Sequence, residues 1–134
     1  MREIRFRLWD KENKKMIVRD SLYTYFIGLL GDIGRHDVCG NVTYNNGHKF
    51  YSEQFETMQY TGLKDKNGKE IYEGDIYHQG DKNILYVVVW HDTSFIGKQL
   101  KSSSYAGLTY WLDRIEVIGN IYDNPDLLKT NAKL

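Results

Sequence analysis

Four histidines and a single cysteine are the residues on which metal or nucleophilic chemistry would have to rest. His36 and Cys39 make an H-x-x-C spacing to which His48 could add a third ligand. No second cysteine pair and no HExxH-type helix accompany them, so a buried thiol and solvent-facing imidazoles are expected rather than a zinc site. His91-Asp92 has the residue types for acid–base work, but neighbouring residues of an extended strand point to opposite faces, so the two are not expected to bond. Cys39 has no identifiable base beside it. Glu70, Glu73 and Asp75 form a carboxylate cluster, but Asp65–Glu73 fails the calcium-loop spacing, and a solvated acidic rim is expected. Gly28-Leu29-Leu30-Gly31 lacks the further glycine and the lysine of a phosphate-cradling loop. The sequence therefore offers no catalytic, metal or cofactor-binding residue, and no cofactor is expected.

Two patterns remain. Residues 1–20 carry seven Lys/Arg against four acidic residues. In an extended strand Arg5, Arg7 and Trp9 share a face, and cations beside an aromatic suit single-stranded nucleic acid through phosphate attraction and base stacking. The simpler outcome is a solvated basic face with Trp9 packed on a neighbouring element. Gly62, Gly68 and Gly74 recur every six residues, and Asp75 follows the last. Glycine supplies backbone conformations that cost other residues free energy, and Asp accepts backbone N–H groups across turns. A structural corner is expected there; the alternative is a recognition loop on a barrel rim.

The elements that would position these residues are mostly strands. Ile4, Phe6 and Leu8 alternate with Arg5, Arg7 and Trp9, the period of a strand with one buried face. Asp10–Lys15 reads as a turn and Met16–Arg19 as the returning strand. Residues 21–34 fit a short helix or a strand equally, since Leu22, Tyr25, Phe26, Leu29 and Leu30 fall at helical spacing while Leu22–Ile27 is rich in strand formers. Gly31–Asp37 reads as a loop. Gly40–Tyr44 and His48–Ser52 flank the turn signal Asn45-Asn46-Gly47, and Asn67-Gly68 is another. After a turn at Gly80–Asn83, Ile84–His91 is a continuous apolar run expected to be buried on much of both faces. Lys98–Gly107 reads as an exposed loop, Leu108–Leu112 and Ile115–Ile121 as strands, Pro125–Leu128 as one helical turn, and Lys129–Leu134 as a frayed tail.

The chain has 134 residues, enough for one domain with its own core. Hydrophobic residues make up 41 % and charged residues 27 %, a globular rather than a disordered balance. Eleven Tyr, five Phe and three Trp lean the composition towards strands. Eighteen basic and eighteen acidic residues cancel, which argues against a dedicated non-specific nucleic-acid binder and leaves little repulsion against self-association. Cys39 alone cannot form an internal disulfide, so a reducing interior is expected. Met1–Asp10 lacks a signal-peptide core, and no apolar run is long enough to span a membrane.

Two stretches together resemble the YopX family of phage and prophage proteins. The first is Tyr60-Thr61-Gly62-Leu63-Lys64-Asp65-Lys66-Asn67-Gly68-Lys69-Glu70-Ile71-Tyr72-Glu73-Gly74-Asp75-Ile76; the second is Glu116-Val117-Ile118-Gly119-Asn120-Ile121-Tyr122-Asp123-Asn124-Pro125. Phe6-Arg7-Leu8-Trp9-Asp10 resembles the family's N-terminal strand. The resemblance implies a mainly β fold: an N-terminal β-hairpin region (1–57), an SH3-like barrel in the C-terminal half (58–128) and a frayed end (129–134), with at most one or two short helices. It implies a bacterial or phage setting and a cytoplasmic location, and it carries over no activity and no catalytic or binding residues. The expected function is a non-enzymatic accessory protein that binds a phage or host protein or assembles into a homo-oligomer; the alternative is a nucleic-acid-binding module using Arg5, Arg7 and Trp9 and a barrel surface.

Overall fold

Tyr, Val and Ile carry bulk close to the backbone, which favours a pleated chain over a helix. In the computed structural model, residues 5–18, 23–27, 33–37, 42–43 and 55–132 are described, and they are almost all strand, turn and short connection. Two compact units divide them, one built from Met1–Arg5 and Met58–Leu134, the other from Phe6–Thr57.

In the Phe6–Thr57 unit, β1 (Phe6–Asp10) and β2 (Lys15–Ile17) form an antiparallel hairpin, with Leu8 opposite Ile17 and Asp10 opposite Lys15. Its turn is held by Asp10, whose carboxylate accepts the Glu12 and Asn13 N–H groups at 3.0 and 3.1 Å. The one-faced burial expected of β1 does not occur: Arg7, Leu8, Trp9 and Asp10 are all buried and only Phe6 is exposed. β3 (Tyr23–Ile27) decides the ambiguity of residues 21–34 in favour of a strand there. β4 (Ile33–Asp37) replaces the loop expected at Gly31–Asp37, and pairs with β3 from Tyr23↔Asp37 to Ile27↔Ile33. The ladder is made by backbone groups, so Gly34, Arg35 and His36 join it despite weak strand propensity. β5 (Val42–Thr43) pairs with β4. Gly28–Gly31, Cys39 and His48, and the turn signal at Asn45–Gly47, lie outside the described residues.

β6 (Phe55–Lys64), which belongs to the other unit from Met58 onward, runs antiparallel to β7 (Glu70–Tyr72), with a bulge between Tyr60 and Lys64. A five-stranded antiparallel sheet curls into a half-barrel in the order β11-β10-β9-β8-β12. Its strands are β8 (Asp75–His78), β9 (Tyr86–His91), β10 (Ser94–Gln99), β11 (Tyr105–Gly107) and β12 (Glu116–Asn120). The architecture is mainly β and barrel-like, as the resemblance implies. Ile71, Tyr77, Val88, Leu108, Ile115 and Val117 form the core, and Leu63, Tyr86, Phe95, Trp111 and Leu112 pack against it.

Four local expectations are corrected here. The loop expected over Lys98–Gly107 is confined to residues 100–104, because β10 continues to Gln99 and β11 returns from Tyr105. The apolar run Leu108–Leu112 holds a 3-10 helix at Thr109–Trp111 instead of a strand, closed by the Trp111 N–H donating to Leu108 O at 3.0 Å. β9 is buried mainly at Val88, and Trp90 is 52 % exposed, so its apolar run is not a strand buried on both faces. The C-terminal turn is a longer helix, α1 (Pro125–Ala132), which takes in much of the expected tail. Pro125 starts it without loss, since a first-turn N–H has no helical partner. Among the described residues no helix is long and apolar enough to cross a membrane.

Tyr77 is fully buried and stacks on Tyr86 with ring centroids 5.2 Å apart. Its hydroxyl has no hydrogen-bond partner among the described residues. Burial, with the Tyr86 phenol adding to it, pushes the Tyr77 phenol well above its ordinary 10.0. The unfolded chain therefore ionises this group first as pH rises. Stability attributable to Tyr77 is complete below about pH 10 and falls above it, by about 1.4 kcal/mol per pH unit. Urea midpoints between pH 8 and 11 should show this decline, and Tyr77→Phe should flatten it; an unchanged slope in the variant would assign the alkaline loss elsewhere.

Candidate functional site

The turn between β6 and β7 begins at Asp65, which is 6 % exposed although the residues around it are charged and solvated. One carboxylate oxygen accepts the Asn67 and Lys69 N–H groups, each at 2.9 Å. The other accepts the Val117 N–H at 3.0 Å, from β12 and 52 residues away. Lys66 N–H donates to Ile115 O at 3.0 Å beside it. Asp75 does similar work at the next corner, accepting the Tyr72 N–H at 2.7 Å while 1 % exposed. Gly62, Gly68 and Gly74 all have positive φ, at 87°, 82° and 89°. At Gly74 this conformation aims the N–H at Val88 O (2.9 Å) and the carbonyl at the Ile121 N–H (3.0 Å), so one residue ties β9 to the segment after β12. That segment is a side-chain-built corner: Asn120 Oδ1 accepts the Tyr122 and Asp123 N–H groups at 3.0 and 2.8 Å, and Asn124 Oδ1 accepts the Asn120 N–H at 3.1 Å. The two diagnostic stretches of sequence are thus one hydrogen-bonded unit.

The expected acidic rim is not a rim. Asp75 is buried, Glu70 is ion-paired with Arg5, and Glu73 Oε1 accepts the Gln59 N–H at 3.4 Å. The Arg5–Arg7–Trp9 face is not an open one either. Arg7 and Trp9 are 7 % and 8 % exposed, and the Arg5 guanidinium lies 4.6 Å over the Tyr60 ring. His91 and Asp92 do bond, with Nε2 and Oδ2 at 3.2 Å, against the strand argument. The reason is that the strand stops at His91: Asp92 and Thr93 have φ of 48° and 71° and form the hairpin turn into β10. The Asp92 carboxylate is 90 % exposed, so the pair sits in open water rather than in a cleft. His78 is buried; its Nδ1 accepts the Gly80 N–H at 3.1 Å, and its Nε2 lies 3.1 Å from Glu116 Oε1. Among the described residues no group of three or more His, Cys, Asp or Glu is placed to hold a metal ion.

The tip of the β9–β10 hairpin carries an aromatic pair on each face. Trp90 and Phe95 meet edge-to-face at 4.8 Å, and His91 stacks on Tyr105 of β11 at 4.5 Å. Trp90 and Tyr105 are 52 % and 45 % exposed. β11 is the edge of its sheet. Further along the chain, Tyr110 is 79 % exposed and meets Trp111 edge-on at 4.9 Å.

Comparison with known proteins places this framework. The family described as YopX protein matches residues 5–129. The chain belongs to the YopX family. A crystal structure of protein EF1440 from Enterococcus faecalis resembles it with 27 % identity and a TM-score of 0.63, covering 96 % of this chain and 99 % of that one. Protein yopX from Bacillus subtilis shares its fold at 23 % identity and a TM-score of 0.62, covering 96 % and 97 %. No curated protein matches the sequence.

In this YopX-family chain the residues that spacing singles out separate into two groups. Gly62, Gly68 and Gly74 take positive φ at successive points along β6 to β8, with Asp75 bonded at the last; Arg5 faces Tyr60 and Glu70, and Arg7 and Trp9 are buried. Sequence reasoning missed Asp65, Trp90 and Trp111. The available signal for Asp65 was its place two residues before Asn67-Gly68, where a carboxylate meets the N–H groups of a tight turn. Trp90 gave none, because an apolar run looks the same whether its last residue is covered or not.

Proposed function

We propose that this YopX-family protein is a non-enzymatic accessory protein of a phage or prophage, acting in the bacterial cytoplasm by binding protein, first of all a second copy of itself. The observation that carries the reading is the hairpin tip with exposed aromatics on both faces beside a sheet edge. Large aromatic side chains anchor protein interfaces because they bury much area for few rotatable bonds, and an edge strand offers unpaired backbone groups to a partner strand. A chain with no net charge adds little repulsion to that encounter. The bacterial origins of EF1440 and yopX support the setting. The engagement of Asp65, Asp75 and Glu70 in structural contacts, and the open exposure of His91–Asp92, support a role without catalysis.

Light scattering from micromolar to several hundred micromolar should report a dimer or larger closed assembly. Trp90→Ala/Tyr105→Ala should weaken it at least tenfold, the scale of losing one interface anchor of about 1.4 kcal/mol or more. A wild-type protein that stays monomeric throughout, and whose double variant captures the same bacterial proteins as the wild type, would remove the reading.

A further inference from the structure

The inward turn of Asp65 leaves the outside of the β6–β7 turn cationic. Lys64, Lys66 and Lys69 are exposed, and the only acid within the turn has its carboxylate committed to three backbone N–H groups. The Lys66 N–H···O=C bond to Ile115 sets this turn directly against the segment after the 3-10 helix. There Arg114 is exposed, donates its N–H to Trp111 O at 2.8 Å and lays its guanidinium 5.6 Å from the Trp111 ring centre. Tyr110, 79 % exposed, stands beside Trp111. Four cations and two aromatic rings are thus carried by two segments that meet at the Lys66–Ile115 bond. The acids beside them are the exposed Asp113 and the half-buried Glu116, which is shared between Lys66 (3.6 Å) and His78 (3.1 Å).

We propose that this strip, Lys64–Lys66–Lys69 with Tyr110, Trp111 and Arg114, binds single-stranded nucleic acid. Lysines spaced along a turn attract successive phosphates, and an open tyrosine offers a base a face on which to stack. An acidic peptide would use the lysines and have no use for the ring. A duplex hides its bases and would gain from the charge alone. The strip shares no residue with the hairpin tip of the proposed protein interface, so either site can fail without the other.

The test is fluorescence anisotropy with a labelled oligothymidylate of about 12 nucleotides, the same length of duplex, and poly-glutamate, each at 50 and 200 mM salt. Single-strand binding should weaken about 20-fold over that range, the loss expected when about three phosphates are neutralised. Lys64→Ala/Lys66→Ala/Lys69→Ala should abolish most of the salt dependence. Tyr110→Ala should cost about tenfold in affinity at either salt and leave the salt slope unchanged, which a purely structural role would not do. Circular dichroism confirms that each variant remains folded. No single-strand binding at 50 mM salt, binding indifferent to both variants, or equal affinity for duplex or poly-glutamate would each overturn the proposal.

Discussion

Asp65→Ala should remove about 4 kcal/mol of folding stability, a large share of what a domain of this size possesses. The side chain accepts three backbone N–H groups while 6 % exposed. Each is a hydrogen bond to a charged acceptor, worth about 1.5–3 kcal/mol net, and truncation leaves the three donors without it in a site that water reaches poorly. Asp65→Asn separates the contributions. The amide keeps one acceptor oxygen for Asn67 and Lys69 but turns an NH2 towards the Val117 N–H, donor against donor, so about half the loss should appear. Urea unfolding with wild-type-like slopes is the measurement. A change within 0.5 kcal/mol for Asp65→Ala would mean that β12 holds its place against the turn without the carboxylate, and the hub assigned to Asp65 would have to be abandoned.

Much of that hub was legible, and the illegible part is instructive. Gly62, Gly68 and Gly74 are legible as corner residues because a positive φ is a property of the residue itself, and Asp75 because its acceptor serves an N–H three residues away; that Gly74 bonds Val88 and Ile121 is not written near it. Local chemistry leaves a local signature. The turn bonds of Asp65 to Asn67 and Lys69 have a local signature in the Asn67-Gly68 that follows, but its bond to Val117 spans 52 residues and has none. The cationic strip was hidden for the same reason: it exists only because that one negative charge is withdrawn from the turn.

The errors among the strands have a related cause. β4 was missed because its ladder with β3 uses backbone groups that every residue carries, so Gly34 and His36 gave no warning. Leu108–Leu112 resembles a strand in sequence because apolar residues without a clear period fit any buried backbone. Its 3-10 turn lets Leu108 enter the core while Tyr110 stays outside. The apolar face of β9 was overestimated because the sequence of Val87–Trp90 records what could be buried; the strand's position beside β10 determines what is. The Arg5, Arg7 and Trp9 pattern failed in the opposite sense, since the alternation that grouped them gave no account of Arg7 being buried along with Trp9.

Gly97→Ala should be nearly as damaging as the loss of Asp65, for a steric rather than a polar reason. Gly97 sits mid-strand in β10, paired with Val88 on one side and Ala106 on the other, so its backbone has little freedom to retreat. A Cβ there would overlap the Tyr77 hydroxyl and lie 2.7 Å from its Cζ and 3.2 Å from Cε1. Tyr77 is fully buried and held by its stack on Tyr86, so the ring cannot swing clear without disturbing the core. Overpacking of this kind costs about 3 kcal/mol. Tyr77→Phe alone should be close to neutral or slightly stabilising, because it deletes a buried hydroxyl that has no partner among the described residues. In the Gly97→Ala background the same change removes the worst overlap but leaves Cζ too close, so it should restore about half the loss. A double-mutant cycle from urea midpoints measures this coupling, expected at about 1–2 kcal/mol. Strict additivity, or a Gly97→Ala variant as stable as the wild type, would show that Tyr77 does not lie across β10 as described, and the glycine at 97 would then need another explanation.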